Sequence, residues 1–118
     1  MTRSSNQGIK TVLHPVSDVE KAKAVYAALL GIAPQTDGGY YVGFDAAGQH
    51  IGLVPGGGPQ GMTAPVAYWH VPDLEAKLAE VTAAGATVNE TAHDVGGGRL
   101  VATVTDPDGN VLGLLQDR

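Results

Sequence analysis

Apolar and polar positions in the first half of the chain predict one strand, one helix and three further strands. The apolar segment IKTVLHPV is typical of a strand, and a helical period follows in which Ser17 caps the first turn and Glu20 completes a capping box. Gly31 is expected to end this helix. One predicted helix face carries the apolar residues Val19, Ala22, Tyr26, Leu29 and Leu30. Short strands are predicted near 33–36, 40–45 and 50–55.

The second half repeats this order. APVAYWHV is typical of a strand, Asp73 is a helix cap, and Gly85 is expected to end the helix. The apolar face of this helix holds Leu74, Leu78 and Val81. Strands are predicted near 86–91, 99–105 and 110–116. Between the halves, PGGGPQGMTAP (55–65) is predicted to be a mobile linker, because it is too rich in Gly and Pro for a regular element.

Two pairs of matching segments indicate that the halves are copies of one module. FDAAGQHIGLVP (44–55) aligns with TDPDGNVLGLLQ (105–116), and VSDVEKAKAVY (16–26) aligns with VPDLEAKLAEV (71–81). The prediction is a single α+β domain over residues 1–118, with βαβββ modules near 9–55 and 66–116. Their sheets are expected to form a curved mixed sheet with a trough.

Composition and charge exclude several classes of protein. The chain of 118 residues has no cysteine, which excludes disulfides, thiolate metal sites and a cysteine nucleophile. Its net charge is −5 and its seven Lys and Arg residues are scattered, so no nucleic-acid partner is expected. It has no apolar run of about 18 residues and no apolar segment typical of a signal peptide near its start, so we expect a cytoplasmic protein with no membrane partner.

Each module carries a glycine inside its last strand. Gly52 and Gly113 are equivalent in the repeat, although a strand glycine costs about 0.5–1 kcal/mol relative to alanine. A lone strand glycine is often a bulge or a packing accommodation. Two at equivalent positions favour a common functional reason. Both are expected to face the trough and to leave a flat, roomy floor.

The segments HPVSDVEKAKAVYAALLG, HVPDLEAKLAEVTAAGA and TDPDGNVLGLLQ resemble the vicinal-oxygen-chelate superfamily, which includes glyoxalase I, bleomycin-resistance proteins and extradiol dioxygenases. Metal-using members hold their ion with side chains from the first and last strands of each module. The resemblance places Thr11, Gly52, Val66 and Gly113 at these positions. Glycine and valine offer no side-chain donor, so no metal and no other cofactor is expected.

Strand alternation predicts which residues line the trough. The ligand-binding candidates are Leu13, Tyr40, Tyr41, His50, Gly52, Tyr68, Trp69, His70 and Gly113. The hairpin register places Tyr41 in the trough and Tyr40 behind it, and a slip of one residue would exchange them. Trp69 is favoured as a core residue facing the helix, unless a bulge brings its indole to the rim. Tyr68 and His70 have a second interpretation, as packing at a subunit interface.

No carboxylate can be placed beside a histidine in the predicted trough, so no acid–base pair and no catalytic residue is predicted. His50 and His70 could still act alone. His14 is predicted on the helix side of its strand as a hydrogen-bonded core or interface residue, and His93 is predicted to be exposed.

Three functions remain open. The favoured one is a metal-free protein that sequesters a cytotoxic natural product, with a planar aromatic or flavin-like small molecule as its ligand, as in the bleomycin-resistance branch. The second is a lyase, isomerase or dioxygenase that holds a metal through His14, His50 or His70. The third is a regulatory or interaction module. The resemblance also implies a homodimer, because an uncovered sheet face needs a partner.

Overall fold

The computed structural model describes residues 6–58 and 61–117. The chain divides into two compact units, which comprise residues 10–66 (the first unit) and residues 6–9 with 67–117 of the described chain (the second unit). Each has the predicted order of one strand, one helix and three strands. The α+β fold class and the duplicated βαβββ module are therefore confirmed.

Apart from the first residue of β1, the first unit is built from β1 (Ile9–Val16), α1 (Val19–Leu30), β2 (Thr36–Asp37), β3 (Val42–Ala46) and β4 (Gln49–Pro55). Its strands lie in the order β2-β3-β4-β1. β1 runs parallel to β4, whereas β2–β3 and β3–β4 are antiparallel. Leu13 of β1 is paired with Gly52 of β4, which in turn is paired with Gly43 of β3.

The second unit repeats this arrangement with β5 (Val66–His70), α2 (Leu74–Ala83), β6 (Thr87–Asp94), β7 (Leu100–Thr105) and β8 (Val111–Gln116). Its strand order is β6-β7-β8-β5, with β5 parallel to β8. Tyr68 is paired with Gly113, and Gly113 with Thr103. The two strand glycines thus occupy the same register position in both units, as the repeat predicts.

Alternate residues of β3 and β4 form the core of the first unit. Val42, Phe44 and Leu53 are fully buried, and α1 packs on them with Val19, Ala22, Tyr26 and Leu30. Leu29 was predicted on this face, but it is 75% exposed. At about 100° per residue it lies roughly 80° around the helix from Val19, whereas Leu30 lies almost in line with it.

The start of α1 also differs from the sequence prediction. Asp18, and not Ser17, is the N-cap, and its carboxylate accepts from the Lys21 backbone N–H at 3.1 Å. Glu20 therefore lies one position too early to close a capping box, and it pairs instead with Lys23 at 2.9 Å. Gly31 ends the helix as predicted, with φ of 72°.

The core of the second unit follows its predicted helix face. Leu74 and Leu78 of α2 pack on buried residues of the sheet, and Asp73 caps the helix by accepting from the Ala76 N–H at 3.1 Å. Trp69 packs against the same core, so its interpretation as a core residue is confirmed. Within the described ranges, neither helix combines the length and the apolar character needed to cross a membrane.

Candidate functional site

Gly52 lies beneath the side chains of Tyr41 and Leu13 on the sheet face opposite α1. A Cβ at Gly52 would stand 2.6 Å from Leu13 Cδ2 and 2.7 Å from Tyr41 Cζ. Its register partner Gly43 is equally confined, because a Cβ there would be 2.8 Å from His50 Cε1 and 3.1 Å from Tyr41 Cε2. Two facing glycines therefore form a flat patch that the Tyr41 and His50 rings cover.

Gly113 has the same relationship to Tyr68 in the second unit. A Cβ at Gly113 would lie 2.6 Å from Tyr68 Cγ. The prediction of an open floor above Gly52 and Gly113 is therefore wrong. Each glycine makes room for a tyrosine of its own unit, since an aromatic ring laid over a strand glycine restores the contacts that the missing side chain would have made.

Tyr41, His50 and Asp45 form a continuous polar chain on the first unit. The Tyr41 hydroxyl lies 2.5 Å from His50 Nε2, and their rings are nearly parallel, at 9° with centroids 5.9 Å apart. His50 Nδ1 lies 2.7 Å from Asp45 Oδ1. A carboxylate thus orients a histidine, and the histidine contacts a phenol. This is the acid–base arrangement that the sequence analysis did not find.

The β3–β4 hairpin positions this chain. Its turn is made by Ala47 and Gly48 alone, both with positive φ (53° and 79°), as in a type I′ turn. A two-residue turn pairs Asp45 directly with His50 across the strands. The alternation that places Tyr41 on the open face also places Asp45 there. That signal was present in the sequence, and it was missed because Ala-Gly is not a typical hairpin dipeptide.

A cavity of about 450 Å³ opens in the first unit. Its walls are formed by β1, by the segment just before β3, by the end of β4 and by the turns that follow β4. The lining residues are, in that order, Leu13, Tyr40 and Tyr41, Val54 and Pro55, and Gly56, Gly58 and Met62. The walls are mainly apolar, and Tyr41 connects them to the Asp45–His50 pair. The cavity gathers Leu13, Tyr40 and Tyr41 of the predicted ligand-binding residues, with His50 and Gly52 in contact with Tyr41.

Tyr40 and the glycine-rich segment differ from their predicted roles. Tyr40 does not lie behind the sheet, because it precedes β3 in a bend and is 93% exposed at the cavity. The segment predicted as a linker forms turns, in which the Gly56 N–H donates to the Val16 carbonyl at 2.9 Å and the Met62 N–H to the Gly57 carbonyl at 2.9 Å. Residues 59–60 of that segment lie outside the described residues. The remainder supplies part of the cavity wall.

Tyr68, Trp69, His70 and Gly113 belong to the second unit. Tyr68 is only 4% exposed. Burial raises the pKa of its phenol, and the negative charge of Glu90 raises that pKa further. Glu90 accepts from the Thr103 hydroxyl at 3.1 Å. Tyr68 therefore occupies the space above Gly113 on this face of the second unit.

His70 is buried beside a carboxylate that another residue already binds. His70 Nδ1 lies 3.7 Å from Asp117 Oδ2, whereas Arg99 Nε donates to Asp117 Oδ1 at 2.7 Å. That Arg99 hydrogen bond lowers the pKa of Asp117. The Asp117 carboxylate is thus committed chiefly to Arg99.

The other two histidines have local partners. His14 Nδ1 lies 3.2 Å from the Tyr26 hydroxyl on α1, as its predicted helix-facing position requires, and burial lowers the pKa of its imidazole. His93 Nδ1 lies 2.9 Å from the Thr91 carbonyl, at the edge strand β6. Across residues 6–58 and 61–117, no three His, Asp or Glu side chains converge as a metal site would require.

The four positions that the resemblance assigns to metal ligands do not fit a divalent ion. Thr11 and Val66 are buried, at 4% and 6% exposed. Of these two side chains, only the Thr11 hydroxyl has an atom that could bind a metal ion. Gly52 and Gly113 supply no donor, and the Tyr41 and Tyr68 rings fill the space above them. A carboxylate, the ligand that such sites need, is missing from all four positions.

Solved structures with this fold differ widely in sequence. Methylmalonyl-CoA epimerase from Mycobacterium tuberculosis superposes with a TM-score of 0.77 at 16% identity, over 100% of this chain and 93% of that one. The Mn(II)-bound glyoxalase from Novosphingobium aromaticivorans gives 0.73 at 22% identity, over 97% of this chain and 40% of that one. An extradiol ring-cleaving dioxygenase from B. fuscum gives 0.74 at 15% identity, over 98% and 34%. At these identities the likeness concerns the fold alone.

The sequence itself carries a family match. No curated protein matches it significantly. The model of the Glyoxalase/Bleomycin resistance protein/Dioxygenase superfamily matches residues 8–114, which include both βαβββ modules except the last two residues of β8. The chain therefore belongs to the Glyoxalase/Bleomycin resistance protein/Dioxygenase superfamily.

Proposed function

We propose that this protein binds a planar aromatic small molecule in the cavity of its first unit. We propose also that no metal binds at Thr11, Gly52, Val66 and Gly113, here called the four family positions. The observation that carries the proposal is the cavity itself. Its volume of about 450 Å³ falls within the range of roughly 300–1,000 Å³ typical of ligand pockets. Its walls are aliphatic and aromatic. Tyr41, one of the wall residues, contacts His50, which in turn contacts Asp45.

The chemistry of the walls favours a flat ring system. Leu13, Val54 and Met62 offer apolar surface, which contributes about 25 cal/mol per Å² buried. Tyr40 and Tyr41 offer rings for stacking, which adds about 0.5–1.5 kcal/mol per pair. A large ring system is therefore expected to bind better than small aldehydes or thiols. The ligand lies beside Tyr41 rather than above Gly52 and Gly113, because those spaces are filled.

The biological role that we propose is sequestration of a cytotoxic aromatic natural product. A sequestering protein needs a well-formed pocket and no catalytic metal, which agrees with the residues at the four family positions. The competing proposal is a metal-dependent lyase, isomerase or dioxygenase. It is supported by the names of the structural neighbours, which include an Mn(II)-bound glyoxalase, and it is opposed by the unsuitable donor set.

A direct test uses lumiflavin as the planar probe and fluorescence titration as the readout. The parent protein is expected to bind it measurably, and Val54→Phe, which fills the cavity wall, to bind it at least about tenfold more weakly. Val25→Phe is the matched control, because Val25 is exposed on α1 and does not line the cavity. No binding to the parent, or equal binding to both variants, would show that this cavity is not the site.

A further inference from the structure

We propose that the cavity of the first unit rejects ring systems that carry a negative charge, so that the natural ligand is an aromatic molecule without a carboxylate, sulfonate or phosphate on its rings. The selection rests on the proposed function, because it names the chemical class of ligand for the same cavity. It depends on the side chains of the wall, on the positions of the lysines and on the backbone of the glycine-rich turns.

The cavity wall offers no positive side chain to an anionic ligand. Within the described part of the chain, the lining side chains are aliphatic or phenolic, or are absent, as at Gly56 and Gly58. An ionised group that enters such a wall loses its water and gains no opposite charge, which is costly. A neutral ring gains apolar contacts with Leu13, Val54 and Met62 without that cost. The wall therefore separates ligands by their charge.

The lysines of the first unit lie on its helix side. Residues 10–66 contain three basic residues, none of which lines the cavity, and these are Lys10, Lys21 and Lys23. Lys21 and Lys23 belong to α1. Lys10 lies four residues before His14 on β1, and therefore on the strand face that contacts α1. Lys23 also binds two carboxylates already, with its Nζ 2.9 Å and 3.0 Å from their oxygens.

Backbone N–H groups of the glycine-rich turns do not replace the missing cation. Such groups can bind an anion where successive N–H bonds converge on it. Here the N–H groups of Gly56, Gly57 and Gly58 donate to backbone carbonyls at 2.9, 3.2 and 3.4 Å. Those of Gly61 and Met62 do the same at 3.1 and 2.9 Å. These hydrogen bonds close the turns, so an anion at this part of the wall would have to break one of them.

The polar pair that contacts Tyr41 supplies no net positive charge either. His50 Nδ1 lies 2.7 Å from Asp45 Oδ1. With the carboxylate ionised, the pair has a net charge of −1 when the imidazole is neutral and of zero when it is protonated. An anionic ligand beside Tyr41 therefore meets no compensating charge in either protonation state of His50.

Two phenazines that differ mainly in charge separate this selection from the proposed function. Phenazine-1-carboxamide is neutral at pH 7.5, and phenazine-1-carboxylate is an anion of nearly the same size and shape. Isothermal titration calorimetry at pH 7.5 measures both affinities. The parent protein is expected to bind the carboxamide at least about tenfold more tightly, because only the carboxylate loses the hydration of a charge without gaining a partner.

A lysine introduced into the wall should remove the penalty. Met62→Lys keeps an unbranched side chain of similar length and adds a positive charge at the cavity. It is expected to raise the affinity for the carboxylate, relative to the carboxamide, at least about tenfold. Val25→Lys is the matched control, because it adds the same charge to the exposed surface of α1, outside the lining residues. If Met62→Lys does not fold, Val54→Lys in the same wall decides.

The outcomes are distinguishable. Equal binding of the two phenazines by the parent, or tighter binding of the carboxylate, would overturn the selection and leave the proposed cavity standing. Binding of lumiflavin but of neither phenazine would have the same meaning. The absence of a gain in Met62→Lys, or an equal gain in Val25→Lys, would also contradict the role of the wall. Failure of the parent to bind lumiflavin and both phenazines would overturn the proposed function and the selection together.

Discussion

Tyr68 lies directly over Gly113, its register partner on the neighbouring parallel strand, so that a Cβ on this glycine would stand 2.6 Å from Tyr68 Cγ. A similar relationship joins Tyr41 to Gly52 in the other unit, although Tyr41 is not the register partner of this glycine and directly precedes β3. The two glycines are therefore packing positions for aromatic rings. The fold retains them because a side chain at either position would displace a tyrosine.

Gly113→Ala is expected to destabilise the protein by about 1–3 kcal/mol, because the added methyl group overpacks against the buried Tyr68 ring. Urea unfolding measures this loss. Gly39→Ala is the matched control, since a Cβ at Gly39 meets nothing within 4 Å. Combining Gly113→Ala with Tyr68→Ala should cost less than the sum of the single changes. Equal stability of Gly113→Ala and Gly39→Ala would contradict the packing role.

Gly52→Glu is expected to weaken lumiflavin binding at least tenfold, whereas Gly113→Glu should act on stability alone. The side chain at position 52 would displace Tyr41, which lines the cavity, and would place a charge beside apolar walls. Tyr68 and Gly113 do not line that cavity. Fluorescence titration of both folded variants gives the comparison, and unchanged binding by Gly52→Glu would remove Tyr41 from the binding site.

The purified, dialysed protein is expected to hold no stoichiometric zinc, iron, manganese or nickel. The reason is the residue set at the four family positions, which offers no carboxylate or imidazole. Elemental analysis by mass spectrometry measures the metal content per chain. One ion per chain that disappears on replacing His50 or His70 would instead favour the metal-dependent enzyme.

His14→Leu is expected to make the free energy of unfolding depend less on pH below neutral pH. Burial lowers the pKa of His14 below its ordinary value of 6.5, so the unfolded chain binds more protons between the two pKa values. The parent therefore loses stability from this group as the pH falls below 6.5 and down through the folded pKa. Urea unfolding at pH 7.5 and pH 5.5 measures the slope. His93→Asn is the control, and an equal change of slope in both variants would refute the assignment to His14.

A homodimer is expected in solution, because in each unit the helix covers one face of the sheet and the other face carries the tyrosine–glycine pair. Light scattering after size exclusion at micromolar concentration should give about twice the chain mass of 12.0 kDa. A mass of 12.0 kDa that persists on concentration would contradict the prediction.

Most of the fold could be predicted from the sequence because it depends on local periodicity. Alternation identified the strands and their faces, and Asp73 and Gly31 marked helix ends through cap geometry that their own side chains or backbones determine. The repeat then placed Gly52 and Gly113 in equivalent positions, and it carried the resemblance to the superfamily. Leu29 was predicted on the wrong face because it lies roughly 80° around α1 from Val19.

The candidate site depended on relations that only the tertiary structure decided. Alternation showed that Tyr41 and Gly52 share a face, but ring orientation decides that one covers the other, and several orientations are compatible with the same backbone. The two-residue turn brought Asp45 to His50, and a longer turn would have separated them. The cavity wall near Met62 depends on turn hydrogen bonds in a segment that has no periodicity. Sequence pattern therefore determined which residues share a face, whereas side-chain packing and strand register determined which of them touch.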